Sequence, residues 1–164
     1  MKTLILYVSK KGCTELCAKE LAINFRKNVT VMNLKQQKNI DLNPFDTIIM
    51  GTPIYIGKIN SDLKQFCYQN ERKLLNKNIA FFACGVTESD KVCQNLNSQL
   101  PDKIANHSLL NSFFGGELRY EKMNSMIKLI VKQFQKQNGN KSPKINHLEI
   151  ERFCREVRKK IDVK

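Results

Sequence analysis

Long hydrophobic runs are missing from this sequence. No stretch reaches the 18 or so apolar residues that a membrane-spanning helix needs, and the N-terminal run from Leu4 to Val8 is too short for a signal-peptide core. A cytosolic protein is expected, with any membrane contact peripheral, on the inner face of the cell membrane. Paired cysteines are missing too. Cys13, Cys17, Cys67, Cys84, Cys93 and Cys154 form no C-x-x-C, and the only histidines, His107 and His147, lie near none of them in sequence. Zinc-ribbon spacing is thereby excluded, and reduced thiols in a reducing compartment are expected. There is no G-x-G-x-x-G, no internal repeat and no low-complexity tract.

What is present is the composition of one ordinary globular domain spanning 1–164, with 41% hydrophobic and 26% charged residues. Lys and Arg number 28 against 15 Asp and Glu, a formal charge of +13. Such an excess implies an anionic partner: a phosphate-bearing cofactor, an acidic substrate, nucleic acid or a lipid surface. Over half of it lies in residues 118–164, where thirteen basic side chains face five acidic ones. Nucleic acid is disfavoured, because no aromatic-plus-basic strand pattern or recognition helix accompanies the charge.

Along the chain, Thr3–Val8 reads as a buried strand running into the polar loop Ser9–Thr14, and Thr14–Lys27 as an amphipathic helix with Glu15 in its first turn. Val29–Leu34 and Phe45–Met50 read as strands two and three. Ser61–Leu75 reads as a helix with Ser61 as N-cap, and Asn78–Cys84 as strand four. Glu88–Leu100 reads as a helix closed before Pro101, Leu109–Phe114 as strand five ending in Gly115-Gly116, and His147–Ile161 as the last helix. Alternating strands and helices, several strands apolar throughout, predict an α/β doubly wound parallel sheet with helices on both faces. Ligands of such sheets sit at the carboxyl ends of the strands, where the strand order reverses. The interval 118–146 is too long for a simple connection and reads as an insertion after strand five.

Ser9, Lys10, Lys11, Gly12, Cys13 and Thr14 offer hydroxyls at both ends, a glycine for close backbone approach, two lysines and the amides of a helix N-terminus. An ordinary strand-to-helix turn accounts for these residues equally well when the loop is taken alone. The acidic residue that would hold a dinucleotide ribose about 20 positions on is missing, so a single phosphate fits better than a pyrophosphate. Two companion loops lie where the plan places a site: Gly51-Thr52-Pro53-Ile54-Tyr55-Ile56-Gly57 after strand three, and Gly85-Val86-Thr87 after Cys84.

S-x-x-G-x-T after strand one and G-T-P-x-Y-x-x-G after strand three resemble the flavodoxin pattern, and the order of elements agrees over nearly the whole chain. The resemblance implies a five-stranded parallel sheet of order 2-1-3-4-5 that binds FMN. It gives the FMN phosphate to Ser9–Thr14, one side of the isoalloxazine to Thr52, Pro53, Ile54, Tyr55, Ile56 and Gly57, and the other side to Cys84, Gly85, Val86 and Thr87. Tyr55 would stack on the flavin. Two positions depart from the pattern. Lys11 replaces a usual hydroxyl residue, and no aromatic stands between Gly85 and Asp90, which implies one flavin face open to a substrate.

Phe113-Phe114-Gly115-Gly116-Glu117-Leu118-Arg119-Tyr120, then Met126–Lys132, then the late helix containing Phe153, are similar to the flavodoxin-type protoporphyrinogen dehydrogenases. Members of that family oxidise a tetrapyrrole with FMN and pass the electrons to menaquinone at the membrane, and they carry an insertion after strand five. The resemblance implies a hydrophobic anionic substrate and a quinone acceptor. The alternative is a cytosolic flavodoxin-like FMN electron carrier or quinone reductase. Shuttle flavodoxins are usually acidic, unlike this chain.

Independently of any family, Met123, Met126, Ile127, Ile130, Val131 and Phe134 fall on one side of a helix, with Lys122, Lys128, Lys132 and Lys136 opposite. Such a helix can lie on an anionic bilayer, hold an acidic amphiphile, or pack its apolar side on the domain. Arg119, Lys122, Lys128 and Lys132 are the candidate substrate or membrane contacts. Cys13, heading a helix where a thiolate is favoured, is either a redox sensor or a backbone contact to phosphate. The other five cysteines read as small buried hydrophobes and the histidines as loop or cap residues.

Overall fold

The computed structural model describes residues 1–10, 12–37, 39–86, 96–116 and 144–163. In chain order these form β1 (Thr3–Tyr7), α1 (Cys13–Phe25), β2 (Val29–Asn33), β3 (Thr47–Tyr55), β4 (Lys58–Ile59), α2 (Ser61–Gln69), α3 (Glu71–Leu74), β5 (Asn78–Cys84), α4 (Asp102–His107), β6 (Asn111–Phe113) and α5 (His147–Asp162). The five parallel strands lie in the order β2-β1-β3-β5-β6, and β4 is a two-residue antiparallel partner of β3. Counting parallel strands alone, this is the expected 2-1-3-4-5 order.

Alternate residues of each strand point to opposite faces, so the continuous apolar runs fill two cores. Leu4, Leu6, Ile48, Met50, Ile79 and Phe81 pack with Leu63, Phe66, Leu74 and Ile104, under α2, α3 and α4. Ile5, Ile49, Ala80 and Phe82 pack with Leu21, Phe25, Phe153 and Val157, under α1 and α5. Arg158 of α5 ties these two helices together: its guanidinium lies 5.1 Å over the Phe25 ring and donates to the Asn24 carbonyl at 2.8 Å.

Several local expectations need correction. Strand three runs beyond Met50 as far as Tyr55, so Gly51–Tyr55, expected as loop, is strand. Proline is tolerated there for a geometric reason. The Gly51 carbonyl faces β1 and accepts from Val8, so Pro53, two residues on, turns its nitrogen to the same side, past the last β1 residue, where no ladder bond is lost. Asn60, not Ser61, caps α2: its side-chain oxygen accepts from the Asp62 amide at 2.8 Å. The helix expected over 61–75 divides at Asn70, whose side chain donates to the Phe66 carbonyl. Strand five begins at Asn111 rather than Leu109, and α4 was not anticipated. Most of the helix expected over 88–100 lies outside the described residues.

The chain leaves and rejoins the sheet at one place. Gly115 forms an antiparallel bridge with Ile145, and the Asn146 amide donates to the Phe114 carbonyl at 2.8 Å. Ile145 and Asn146, assigned from sequence to the insertion, therefore belong to the sheet edge and to the cap of α5, where Asn146 accepts from the Glu149 amide.

Glu149 fastens α5 to β6. It accepts from Ser112 Oγ and, through both carboxylate oxygens, from Arg152 at 2.8 Å. Burial pushes its pKa up, but the Arg152 and Ser112 donors outweigh that and hold it below the usual value. A lowered folded-state pKa gives stability that is complete above the unfolded value of about 4.3 and lost as pH falls through the folded one. Glu149→Gln is thus expected to cost about 1 kcal/mol at neutral pH, discounted for partial exposure. In urea melts the gap from the parent should shrink as pH falls below the unfolded value and then through the folded one. A gap independent of pH would contradict this assignment.

Candidate functional site

The carboxyl ends of β1, β3 and β5 bring three loops to one edge. After β1 the chain folds back on itself, with Ser9 Oγ accepting from the Gly12 amide at 3.0 Å. Gly12 takes φ 90°, in the left-handed region that favours glycine, and α1 starts at the next residue. Unlike α2 and α5, which begin with an asparagine cap, α1 carries no side-chain cap. Its first amides and the positive end of its dipole face the loop, which is the arrangement that receives an anion. Lys10 is exposed beside it and Thr14 is buried. Lys11 lies outside the described residues.

β3 ends in a hairpin with β4, pairing Ile54 with Ile59 and Tyr55 with Lys58. Ile56 and Gly57 form the turn at φ 50° and 71°. Both signs are positive, as a type I′ hairpin turn requires. For a β-branched residue this is strained, and Ile56 is also 98% exposed. The strain is held in place from outside: Gln99 donates to the Gly57 carbonyl at 2.8 Å and accepts from the Ile59 amide at 3.1 Å. Thr52 Oγ1 accepts from the Asn60 amide and donates to the Pro53 carbonyl. Pro53 and Ile54 lie within the strand, whereas Tyr55 stands 42% exposed at its end. Burial raises the Tyr55 pKa, and Cys13 raises it further.

The third loop starts at Cys84, buried, and continues through half-buried Gly85 and Val86. The Gly85 amide donates to the Gly115 carbonyl at 3.0 Å. A side chain at Gly116 would run into the Gly85 carbonyl, so this close approach of β5 and β6 ends requires glycine. Thr87, and all four basic candidates Arg119, Lys122, Lys128 and Lys132, lie outside the described residues.

Two features went unread in the sequence. One is Gln99 as the hairpin clamp. The other is a thiol cluster: the Sγ atoms of Cys13, Cys17 and Cys84 lie within 4.8 Å of one another. The hydrogen bond with Cys13 pushes the Cys17 thiol well up in pKa, the one with Cys84 opposes it and burial adds to the rise; burial also pushes up Cys84. Cys67, on the other face of the sheet beside Met50 Sδ, is pushed up to about 12 by burial alone. His107 and His147 are structural: one ring nitrogen of His107 pairs with the Lys77 carbonyl, and His147 at the head of α5 contacts Glu20 of α1. Among the described residues no helix is long and apolar enough to cross a membrane.

The fold matches a known plan. The family model described as Flavodoxin domain matches residues 4–144. Among solved structures, oxidised Flavodoxin 2 from Bacillus cereus superposes with a TM-score of 0.63 at 18% identity, covering 98% of this chain and 99% of that one. Oxidised Flavodoxin 1 from the same organism gives 0.62 at 16% identity, covering 97% and 98%. A flavoprotein from Lactobacillus acidophilus, in complex with FMN, gives 0.55 at 19% identity, covering 68% of this chain and 92% of that one. Among curated proteins the comparison finds no match. With a doubly wound sheet of this order, an uncapped first helix behind a Ser-to-Thr loop, and a family match over most of its length, the chain belongs to the flavodoxin domain family.

Proposed function

We propose that this chain binds FMN at the carboxyl edge of its sheet and moves electrons through it. The observation that carries the reading is the head of α1: a left-handed Gly12, a loop closed by Ser9, and a first turn with no side-chain cap. An anion the size of one phosphate suits that cradle, and a dinucleotide pyrophosphate does not. Ser9, Lys10, Lys11, Gly12, Cys13 and Thr14 hold the phosphate. Thr52 to Gly57 flank one side of the ring, Thr52 through its backbone because its hydroxyl is committed to Asn60 and Pro53. Cys84 to Thr87 flank the other side. FMN, when bound, supplies one- and two-electron redox chemistry. The chain anchors the phosphate, offers the Tyr55 face and holds the hairpin rigid through Gln99.

Within that class, the finer reading is a dehydrogenase of protoporphyrinogen type with a quinone acceptor. Two observations support it: the sequence of the insertion, and the Gly115–Ile145 bridge, which tethers both ends of 117–143 at the edge that bears the site. Arg119, Lys122, Lys128 and Lys132 supply cations for an acidic amphiphile or an anionic lipid surface. Membership of the flavodoxin domain family supports the alternative, an FMN electron carrier or quinone reductase.

The purified protein is expected to show flavin bands in its visible spectrum or to take up added FMN; neither occurring would end the reading. Tyr55→Ala should weaken FMN by about two- to tenfold, the 0.5–1.5 kcal/mol of an aromatic pair, and shift the bound spectrum. Unchanged affinity and spectrum would remove Tyr55 from the site. Membranes plus menaquinone are expected to support protoporphyrinogen oxidation by the intact chain and not by one lacking 118–143. If the intact chain reduces quinone but never oxidises protoporphyrinogen, the carrier or quinone reductase reading replaces the dehydrogenase.

A further inference from the structure

Cys13 opens α1, Cys17 follows one turn later on the same helix face, and Cys84 ends β5 beneath them. Their three sulfurs lie within 4.8 Å of one another. Cys17 interacts with both of the others, so the three thiols form one cluster. Cys17 and Cys84 are 0% and 2% exposed, and Cys13 is half-buried.

We propose that Cys13, Cys17 and Cys84 form a site for a soft monovalent cation, copper(I), held by three thiolates. A metal–sulfur bond of about 2.3 Å in a trigonal arrangement separates the sulfurs by about 4 Å, so closure needs side-chain adjustments of well under 1 Å. The donor set selects the ion. No carboxylate or imidazole belongs to the group among the described residues, which excludes the hard cations that take oxygen. His107 and His147 are engaged elsewhere. Three sulfurs satisfy copper(I) fully but leave zinc one ligand short of its tetrahedron. The wall is apolar: Cys17 and Cys84 belong to the core with Tyr7, Ala18 and Phe82. On binding, three S–H bonds break, three protons go to solvent and three copper–sulfur bonds form, with no change of oxidation state. The negative charge that results lies at the head of α1, where the helix dipole favours it.

The test uses the full-length reduced protein, without air, titrated with copper(I) in the presence of a chromogenic copper(I) chelator. One equivalent should be withheld from the chelator, with three sulfur neighbours in the copper X-ray absorption spectrum. Cys17→Ala and Cys13→Ala should each weaken the binding by at least about a hundredfold, as much as a well-placed outer-shell partner can contribute. Cys67→Ala, across the sheet, should leave it unchanged. Cys13→Ala decides the matter if Cys17→Ala fails to fold, because Cys13 is only half-buried. The proposal is overturned if the chelator strips all copper from the parent protein, if Cys13→Ala binds as tightly as the parent, or if zinc(II) is held while copper(I) is not. The titration is run without added FMN, because Cys13 and Cys84 also border the proposed flavin site.

Discussion

Phe114→Ala is expected to lower the unfolding free energy by about 4 kcal/mol and the melting temperature by roughly 8–16 °C, the largest single effect on stability. Phe114 has no exposed surface. Its ring stacks on Phe82 at 4.8 Å and meets Phe153 edge-on at 5.3 Å, so it joins the sheet to α5. Truncation removes both ring contacts and leaves a cavity that Phe82 and Phe153, each fixed on a different element, cannot close. The backbone bonds of Phe114, from its amide to Ala83 and from Asn146 to its carbonyl, are retained, so the ends of β5 and β6 keep their alignment. FMN affinity should therefore fall much less than stability. Guanidinium unfolding at neutral pH measures the first quantity and flavin titration of the folded variant the second. A loss of less than about 1 kcal/mol would mean that α5 can slide to refill the space.

Gly12→Val is expected to have the largest effect on the cofactor, a loss of FMN affinity of about a hundredfold, near 3 kcal/mol. At φ 90° a β-branched side chain is strained by about 1–2 kcal/mol, and the chain relieves it by moving the first turn of α1. The amides of the proposed phosphate cradle move with that turn. Riboflavin, which has the same ring and no phosphate, supplies the control: its affinity should change little. Equal losses for FMN and riboflavin would show that Gly12 shapes the ring site and not a phosphate cradle.

The parts of this fold legible in the sequence are those written in short-range pattern. Ile48-Ile49-Met50 and Asn78–Cys84 are continuous apolar runs because each strand is buried on both faces, and that burial shows as composition without any knowledge of partners. The turn after β1 is legible for the same reason: a glycine among polar residues between an apolar strand and a helix marks it locally, and the structure puts Gly12 in the left-handed region there. Gly51-Thr52-Pro53 was misread as a loop because glycine and proline ordinarily break strands. Whether proline breaks this one depends on where β1 stops, and only the register Tyr7 to Gly51 decides that.

By itself, then, the sequence determined the alternation of elements, the two-sided core and the glycine turn after β1. The tertiary structure alone decided what meets across long separations: Gln99 on the strained Ile56-Gly57 turn, Ile145 on Gly115, and Cys84 beneath Cys13 and Cys17. No local pattern encodes these meetings. Each depends on strand order and register, which are set by packing the whole sheet against its helices, and the three thiols share one centre only once β5 lies under the first turn of α1.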